Sequence, residues 1–180
     1  MPIHAPERLE TPRLVLRRPV ADDAAAIFER YASDPAVTTF LAWPTHRDVA
    51  DTRQFLAFGD AEWTRWPAGP YLIERRDNAQ LIGSAGFAFE TPTRAATGYV
   101  LAKDAWGRGY ATEALSAIVT LAPALGLRRL HAWCHPDHRA SRRVLEKCGL
   151  LYEARQRRYS TFPNSGVDEP VDTLCYARVW

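Results

Sequence analysis

Two glycines near the middle of the chain are the first residues whose types and spacing favour a chemical function. Gly107 and Gly109 lie in the segment Trp106-Gly107-Arg108-Gly109-Tyr110-Ala111-Thr112, between a predicted strand and the most strongly predicted helix. Glycine lets a ligand approach the backbone closely, and the first N–H groups of a helix have no intrahelical acceptor. The segment therefore predicts an anion site that suits the oxygens of a pyrophosphate.

Two arginines, Arg94 and Arg108, are cations that can reach the charged end of a nucleotide bound at this loop. The two common nucleotide loops fit poorly, because Thr112 stands where the dinucleotide pattern requires a third glycine and no Gly-Lys-Ser/Thr of a P-loop follows. A turn without a ligand is the alternative interpretation of the two glycines.

A second group of reactive side chains has the residue types of a metal site: His131, Cys134, His135 and His138. Alternate residues of a strand face opposite sides of a sheet, so Cys134 points away from the two nearest histidines. His138 belongs to the following helix. This spacing argues against tetrahedral zinc, and we predict no metal site.

Basic residues are frequent in the C-terminal half of the chain and allow a second hypothesis, a nucleic-acid-binding or ribosome-binding module without catalysis. The net charge of +2 and the pI near 8.5 are low for a dedicated nucleic-acid binder. A solvated surface is the simpler interpretation. The residues concerned are Arg128, Arg129, Arg139, Arg142, Arg143, Arg155, Arg157 and Arg158.

The elements that position these residues follow from hydrophobic periodicity. Strands are predicted at residues 14–18, 71–74, 80–87, 98–101, 130–134, 152–160 and 172–179. Helices are predicted at residues 22–31, capped by Asp22 with Ala24, Ile27, Phe28 and Tyr31 on one face, and at 48–65, 111–122 and 136–148. This order, without a repeat or a linker, predicts one α/β domain over residues 1–180.

The composition is that of a folded protein, with 47% hydrophobic and 24% charged residues. The longest weakly polar stretch, residues 114–127, is shorter than the ~20 residues that span a bilayer. The three cysteines do not suggest a disulfide framework. No secretory signal is evident at the start, so a cytoplasmic location is expected.

The glycine loop resembles the acyl-coenzyme A signature of the GNAT superfamily of N-acetyltransferases, Gln/Arg-x-x-Gly-x-Gly/Ala. The residue sequence from Trp106 to Ala114 is similar to that of the ribosomal-protein-alanine N-acetyltransferase-like branch. Similar motifs occur in order along the chain: Leu9-Glu10-Thr11-Pro12-Arg13-Leu14, Leu81-Ile82-Gly83, Gly98-Tyr99, and Ser141 with Leu145-Glu146-Lys147-Cys148-Gly149-Leu150. The resemblance implies an α/β (α+β) fold, with a mixed, mainly antiparallel, V-splayed sheet flanked by helices.

The resemblance also implies acetyl-CoA as the acyl donor, with no metal. In the family a strand offers backbone groups to the pantetheine amides, and the glycine loop holds the pyrophosphate. His138 stands where the branch carries asparagine, but can still donate to a CoA amide, and Arg142 or Arg143 is placed for the 3′-phosphate. The expected coenzyme-binding residues are Val100, Leu101, Trp106, Gly107, Arg108, Gly109, Tyr110, Ala111, Thr112, His138, Ser141 and Arg142.

In similar enzymes the amine attacks the thioester directly, so one group must accept the ammonium proton and another must protonate the departing thiolate. Many members of the branch carry glutamate at the position of Ala96, and a tyrosine acid would fall at Leu145. The position of Ser141 matches a serine proposed as the acid in similar enzymes, so the resemblance implies Ser141 as the acid, or as a hydrogen-bonding partner of pantetheine. Glu90 is the expected base, unless it is a solvated carboxylate and ordered water carries the proton.

The acceptor is a primary amine that the sequence leaves open, either a protein N-terminus or a small molecule. The acyl group is equally open, since some relatives use longer or acidic acyl chains. Residues 33–48 and 159–169 are expected to line the pocket, and its aromatic members are Phe40, Trp43, Tyr159 and Phe162, unless these only pack. A homodimer is compatible with the sequence, and no membrane partner is expected.

Overall fold

A computed structural model describes residues 4–180 as an eight-stranded mixed sheet with helices on both faces. The strand order in space is β1-β2-β3-β4-β5-β6-β8-β7. The strands are β1 (Arg8–Glu10), β2 (Leu14–Arg17), β3 (Pro70–Arg75), β4 (Leu81–Thr91), β5 (Arg94–Leu101), β6 (Arg129–Cys134), β7 (Leu151–Ser160) and β8 (Val171–Val179).

The sheet opens at its centre, between β5 and β6. All other neighbours pair antiparallel, whereas β5 and β6 are parallel and pair only over Arg94↔Arg129, Ala95↔Leu130 and Ala96↔His131. Beyond Ala96 the two strands have no register with each other, which is the expected V-shaped splay. The edge of β5 that faces β6 is therefore without a strand partner from Thr97 to Leu101, within residues 4–180.

Five α-helices cover the two faces: α1 (Ala24–Ile27), α2 (Pro35–Thr38), α3 (Val49–Arg65), α4 (Tyr110–Leu121) and α5 (Arg139–Lys147). The larger core packs α4 and α5 on one face, with Ile118 and Leu145 buried against the sheet. The smaller core packs α1 to α3 on the other face. In the part of the chain that the structure describes, no helix is long and apolar enough to cross a membrane.

The predicted helices exist, with corrections near the N-terminus. The segment expected to be one helix is a 3-10 turn at Ala21–Asp23, then α1, then a π-helical turn at Phe28–Ala32. Asp22 is not its cap: the carboxylate of Asp23 accepts from the N–H of Val20 at 2.7 Å. Phe28 is only partly buried. Sequence periodicity missed β1 and α2, because three or four residues are too short for a period to be visible.

The elements from α3 onward follow the predictions more closely. Asp48 caps α3 by accepting from two backbone N–H groups, those of Ala50 and Asp51. Gly126 ends the α4 region in the left-handed conformation, with a φ of 83°. Helix α5 begins at Arg139, after Pro136 and Asp137, which remain in the loop that follows β6.

Candidate functional site

The two loop glycines both adopt backbone angles that favour glycine. Gly107 has a φ of 72° and Gly109 a φ of 79°, in the left-handed region where a side chain is strained. Gly109 occupies the N-cap position of α4. In the described chain, the backbone N–H groups of residues 107–112 donate to no acceptor. These donors and the positive end of the helix dipole lie where the sequence predicts an anion site.

Hydrogen bonds among Thr11, Arg13 and Glu113 connect this loop to the N-terminal part of the chain. The Glu113 carboxylate accepts from the Thr11 hydroxyl at 2.6 Å, from the Arg13 N–H at 2.8 Å and from Arg13 Nε at 2.6 Å. Arg13 Nη1 also donates to the carbonyl of Arg108 at 2.9 Å, and its guanidinium lies over the Tyr110 ring. Burial favours the neutral acid, but these hydrogen bonds outweigh it and hold the pKa of Glu113 below its usual value.

The strand before the loop is connected to it by an indole hydrogen bond. Trp106 is 47% exposed, and its Nε1–H donates to the carbonyl of Leu101 at 2.8 Å. Val100 and Leu101 are buried on opposite faces, one in each core. Their backbone lies on the open edge of β5, where a pantetheine arm can replace the missing strand.

The structure places Ser141 beside the hydroxyl of Tyr99, a contact between α5 and β5. Burial raises the pKa of Tyr99 to about 12, and the contact with Ser141 partly opposes this increase. Both hydroxyls remain protonated at neutral pH. Tyr99 was not among the predicted site residues, because the sequence pattern marked Gly98-Tyr99 only as part of a motif.

The other two predicted coenzyme-binding residues at α5, His138 and Arg142, contact different side chains. His138 lies at the N-cap position of α5, with its ring 4.9 Å from that of Phe40. Burial and then the nearby His135 lower the pKa of His138, so the ring is neutral at pH 7. Arg142 donates through Nε to the Tyr176 hydroxyl at 3.2 Å.

Where the sheet splays, its face on the α1–α3 side combines glycine and alanine residues with two aromatic side chains. Phe87, Ala95 and Leu130 belong to the α4–α5 core. By alternation, their neighbours face the other way. These are Gly86, Ala88, Ala96, Gly98, His131 and Trp133, with Glu90 at the end of the patch; we call this set the acceptor face.

Glu90 lies between the Arg94 guanidinium and the His131 imidazole at the end of the acceptor face. Its Oε2 accepts from Arg94 Nε at 2.5 Å, and its Oε1 lies 3.2 Å from His131 Nε2. Arg94 is therefore paired with Glu90 and with no atom of the glycine loop. From the sequence, His131 was considered only as a candidate metal ligand. The β5–β6 register that brings it next to Glu90 is not visible in the residue pattern.

Three of the four predicted pocket aromatics lie around the mouth of the acceptor face. Phe40 and Phe162 both pack on the His135 ring, at 4.8 and 5.0 Å, and Tyr159 packs against Trp133 at 5.8 Å. Trp43 packs instead against His46 and Phe55. Phe40 and His135 also line a surface cavity of about 770 Å³.

Asn164, another residue that the sequence did not mark, joins the two predicted lining segments. Its side-chain amide donates to the carbonyls of Thr38 and Trp43, both at 2.8 Å, and its oxygen accepts from the Thr45 N–H at 2.8 Å. No group of three metal-ligating side chains converges among the residues that the structure describes.

Known proteins share both this fold and this sequence pattern. A family model described as the acetyltransferase (GNAT) domain matches residues 13–151, so the chain belongs to that family. It is an N-acetyltransferase that uses acetyl-CoA as its acyl donor. The chain is 33% identical over 174 residues to the uncharacterized N-acetyltransferase YoaA of Bacillus subtilis, covering 95% of this chain and 96% of that protein.

Two solved structures are similar over nearly their whole length. A GNAT-family acetyltransferase from Bacillus anthracis has a TM-score of 0.82 and 25% identity, covering 96% of this chain and 98% of that chain. The ribosomal L7/L12 α-N-protein acetyltransferase RimL, solved in complex with coenzyme A, has a TM-score of 0.84 and 23% identity, with the same coverage of 96% and 98%. The second likeness supports the fold alone.

Proposed function

We propose that the loop from Trp106 to Thr112 holds the pyrophosphate of acetyl-CoA and that the pantetheine arm lies along the open edge of β5. The observation that supports this proposal is that, in the described chain, the N–H groups of residues 107–112 have no acceptor, and that Gly107 and Gly109 in this segment adopt left-handed backbone angles. Ser141 and His138 then flank the arm from α5, and Arg142 and Arg108 supply cations for the phosphates. Val100 and Leu101 provide the strand backbone.

The same placement suits direct attack by an amine on the bound thioester. A free N–H on the β5 edge can polarise the thioester carbonyl and stabilise the oxyanion, an effect worth about 3 kcal/mol in other enzymes. Ser141, next to the Tyr99 hydroxyl, protonates the departing thiolate. The Glu90 carboxylate, at the end of the acceptor face, takes part in removing the ammonium proton.

The acceptor that we propose is a primary amine, of a protein N-terminus or of a small molecule, that enters between Phe40, Phe162 and Tyr159. A screen of thiol release separates the two, with acetyl-CoA and succinyl-CoA each tested against small amines and N-terminal peptides.

We also propose that the enzyme is cytoplasmic and that it forms a homodimer. Light scattering tests the dimer, for which the exposed Leu151 and Tyr152 on the edge strand β7 are candidate contacts.

The substitution Gly109→Glu tests the assignment of the loop. We expect it to abolish acetyl-CoA binding by isothermal titration, because it adds bulk and negative charge where the pyrophosphate is held. Gly126→Glu is the matched control, since Gly126 has a similar φ of 83° and an added Cβ there meets nothing within 4 Å. Wild-type affinity in folded Gly109→Glu protein would show that the loop is not the coenzyme site.

A further inference from the structure

His131 is a buried imidazole on the acceptor face, at the point where the sheet splays. It is 4% exposed, and its register partner in β5 is Ala96. Ala96 pairs on its other side with Ala88 of β4. His131 therefore stands at the last paired position before β5 and β6 separate, beside the open edge at which the thioester is proposed to lie.

Ala96 leaves the space in which His131 and Glu90 meet. The two side chains belong to β6 and β4, and β5 lies between those strands. Because Ala96 contributes only a methyl group, the imidazole can reach across β5 until Nε2 is 3.2 Å from Glu90 Oε1. A longer side chain at position 96 would occupy this space. The departure from the family pattern at Ala96 thus coincides with a contact that needs a small residue.

The contact with Glu90 determines which imidazole nitrogen is free. A carboxylate only accepts, so Nε2 carries the proton and neutral His131 has its lone pair on Nδ1. Nδ1 is buried, and the described chain offers it no hydrogen-bond partner. Buried polar atoms are paired in nearly all cases, so an unpaired nitrogen beside the reaction centre requires an explanation.

We propose that His131 is the base that takes the proton of the acceptor ammonium, and that Glu90 is a positioning residue that holds the imidazole. The assignment rests on the proposed acetyl transfer and changes the part expected of Glu90. The N–H bond of the ammonium breaks and a new N–H bond forms at Nδ1, directly or through one ordered water. The pair then consists of an imidazolium and a carboxylate, and the free amine attacks the thioester.

The charges around His131 agree with a neutral base in the resting enzyme. Burial lowers the pKa of His131 below its usual value, Glu90 opposes this, and Arg129 and Arg94 lower it further. Glu153, which is paired with Arg129, also lies near the ring. The imidazole is therefore neutral at pH 7, and the ion pair with Glu90 stabilises the imidazolium that appears during the reaction.

Variants at both residues test the assignment through single-turnover transfer from acetyl-CoA to the fastest acceptor of the thiol-release screen. The wild-type rate should rise with pH as the His131 imidazolium loses a proton and becomes the neutral base. His131→Gln should lower the rate by about 10²–10⁴-fold and remove this rise, while the affinity for acetyl-CoA stays unchanged. Glu90→Gln should lower the rate by about tenfold or more. It should also move that rise to lower pH, because the carboxylate that raises the pKa of His131 is lost.

His4→Gln, at an exposed histidine, is the matched control and should leave rate and pH profile unchanged. A ¹⁵N spectrum of the histidines gives a second measurement, in which Nδ1 of wild-type His131 should be unprotonated at pH 7.5. An active enzyme whose rate and pH profile survive His131→Gln, or a protonated Nδ1, would overturn this assignment alone. A wild-type protein that binds acetyl-CoA and acetylates no amine would defeat the proposed function as well.

Discussion

Glu113 joins two segments that lie 100 residues apart in the chain. Each segment resembles the family on its own, one as Thr11-Pro12-Arg13-Leu14 and the other as the glycine loop. The structure shows why they occur together, because the carboxylate accepts three hydrogen bonds from Thr11 and Arg13, while Arg13 also holds the Arg108 carbonyl. Arg13 thereby supports the loop, although four strands, β2 to β5, lie between the two in the chain.

Replacement of Glu113 by glutamine should lower the free energy of unfolding by about 2 kcal/mol at pH 7, since hydrogen bonds to a charged group are lost. The folded-state pKa of Glu113 is depressed. Its contribution is therefore complete above the unfolded pKa of about 4.3 and is lost as the pH falls through the folded value. Urea unfolding from pH 7 to pH 3 should show the variant and the wild type converging.

Glu29→Gln serves as the control for this substitution, because Glu29 is exposed and has no ion pair within residues 4–180. Equal stability of Glu113→Gln and wild type at pH 7 would contradict the role given to the carboxylate. A difference between them that persists undiminished at pH 3 would show that packing, rather than charge, accounts for the effect.

Strands β5 and β6 separate at the candidate site. Parallel pairing stops after Ala96↔His131, so the rest of β5 keeps unpaired backbone groups in the middle of a sheet. Such an edge is normally hidden or blocked. Here it lies beside the N-terminus of α4, so one ligand can use the strand edge for its amides and the helix start for its phosphates.

The indole of Trp106 connects this strand edge to the loop, which predicts a measurable effect of Trp106→Phe. The ring is retained while the hydrogen bond to the Leu101 carbonyl is lost, a loss of about 1 kcal/mol. We expect acetyl-CoA to bind roughly fivefold more weakly by isothermal titration. Trp66→Phe is the control, since the Trp66 ring stacks on Phe89. Unchanged affinity in Trp106→Phe would mean that the indole only covers the loop.

The charge distribution of the whole molecule bears on the alternative nucleic-acid hypothesis. Several of the C-terminal arginines that suggested it are engaged within the chain. Arg129 pairs with Glu153, Arg155 pairs with Asp172, and Arg142 donates to Tyr176. The net charge of +2 is also low for a dedicated nucleic-acid binder.

RNA binding should accordingly be weak and non-specific. In fluorescence anisotropy at physiological salt, we expect dissociation constants no tighter than about 10⁻⁵ M. Any binding that does occur should be displaced by acetyl-CoA, because Arg108 and Arg142 are the cations proposed to meet the coenzyme phosphates. Submicromolar RNA binding that persists with saturating acetyl-CoA would support the binding-module hypothesis instead.

The sequence predicted most of the fold because long elements carry their own periodicity. Helices α3 and α4 and strands β7 and β8 were placed to within a few residues, whereas β1 and α2 were too short to be recognised. The glycine loop was predictable for a similar reason, since its residues are contiguous. Tyr99 and Asn164 were missed, because their significance lies in contacts with α5 and with the segment from Thr38 to Trp43.

The sequence alone determined the family and the acyl-coenzyme A donor, and it marked the loop from Trp106 to Thr112 as the candidate coenzyme site, because these depend on local residue order. Only the tertiary structure decided how the acceptor side is built. The pairing of Ala96 with His131 and the contact between His131 and Glu90 depend on which strands become neighbours and in which register. That choice is made by burial of both sheet faces against α1–α5, a property of the whole chain.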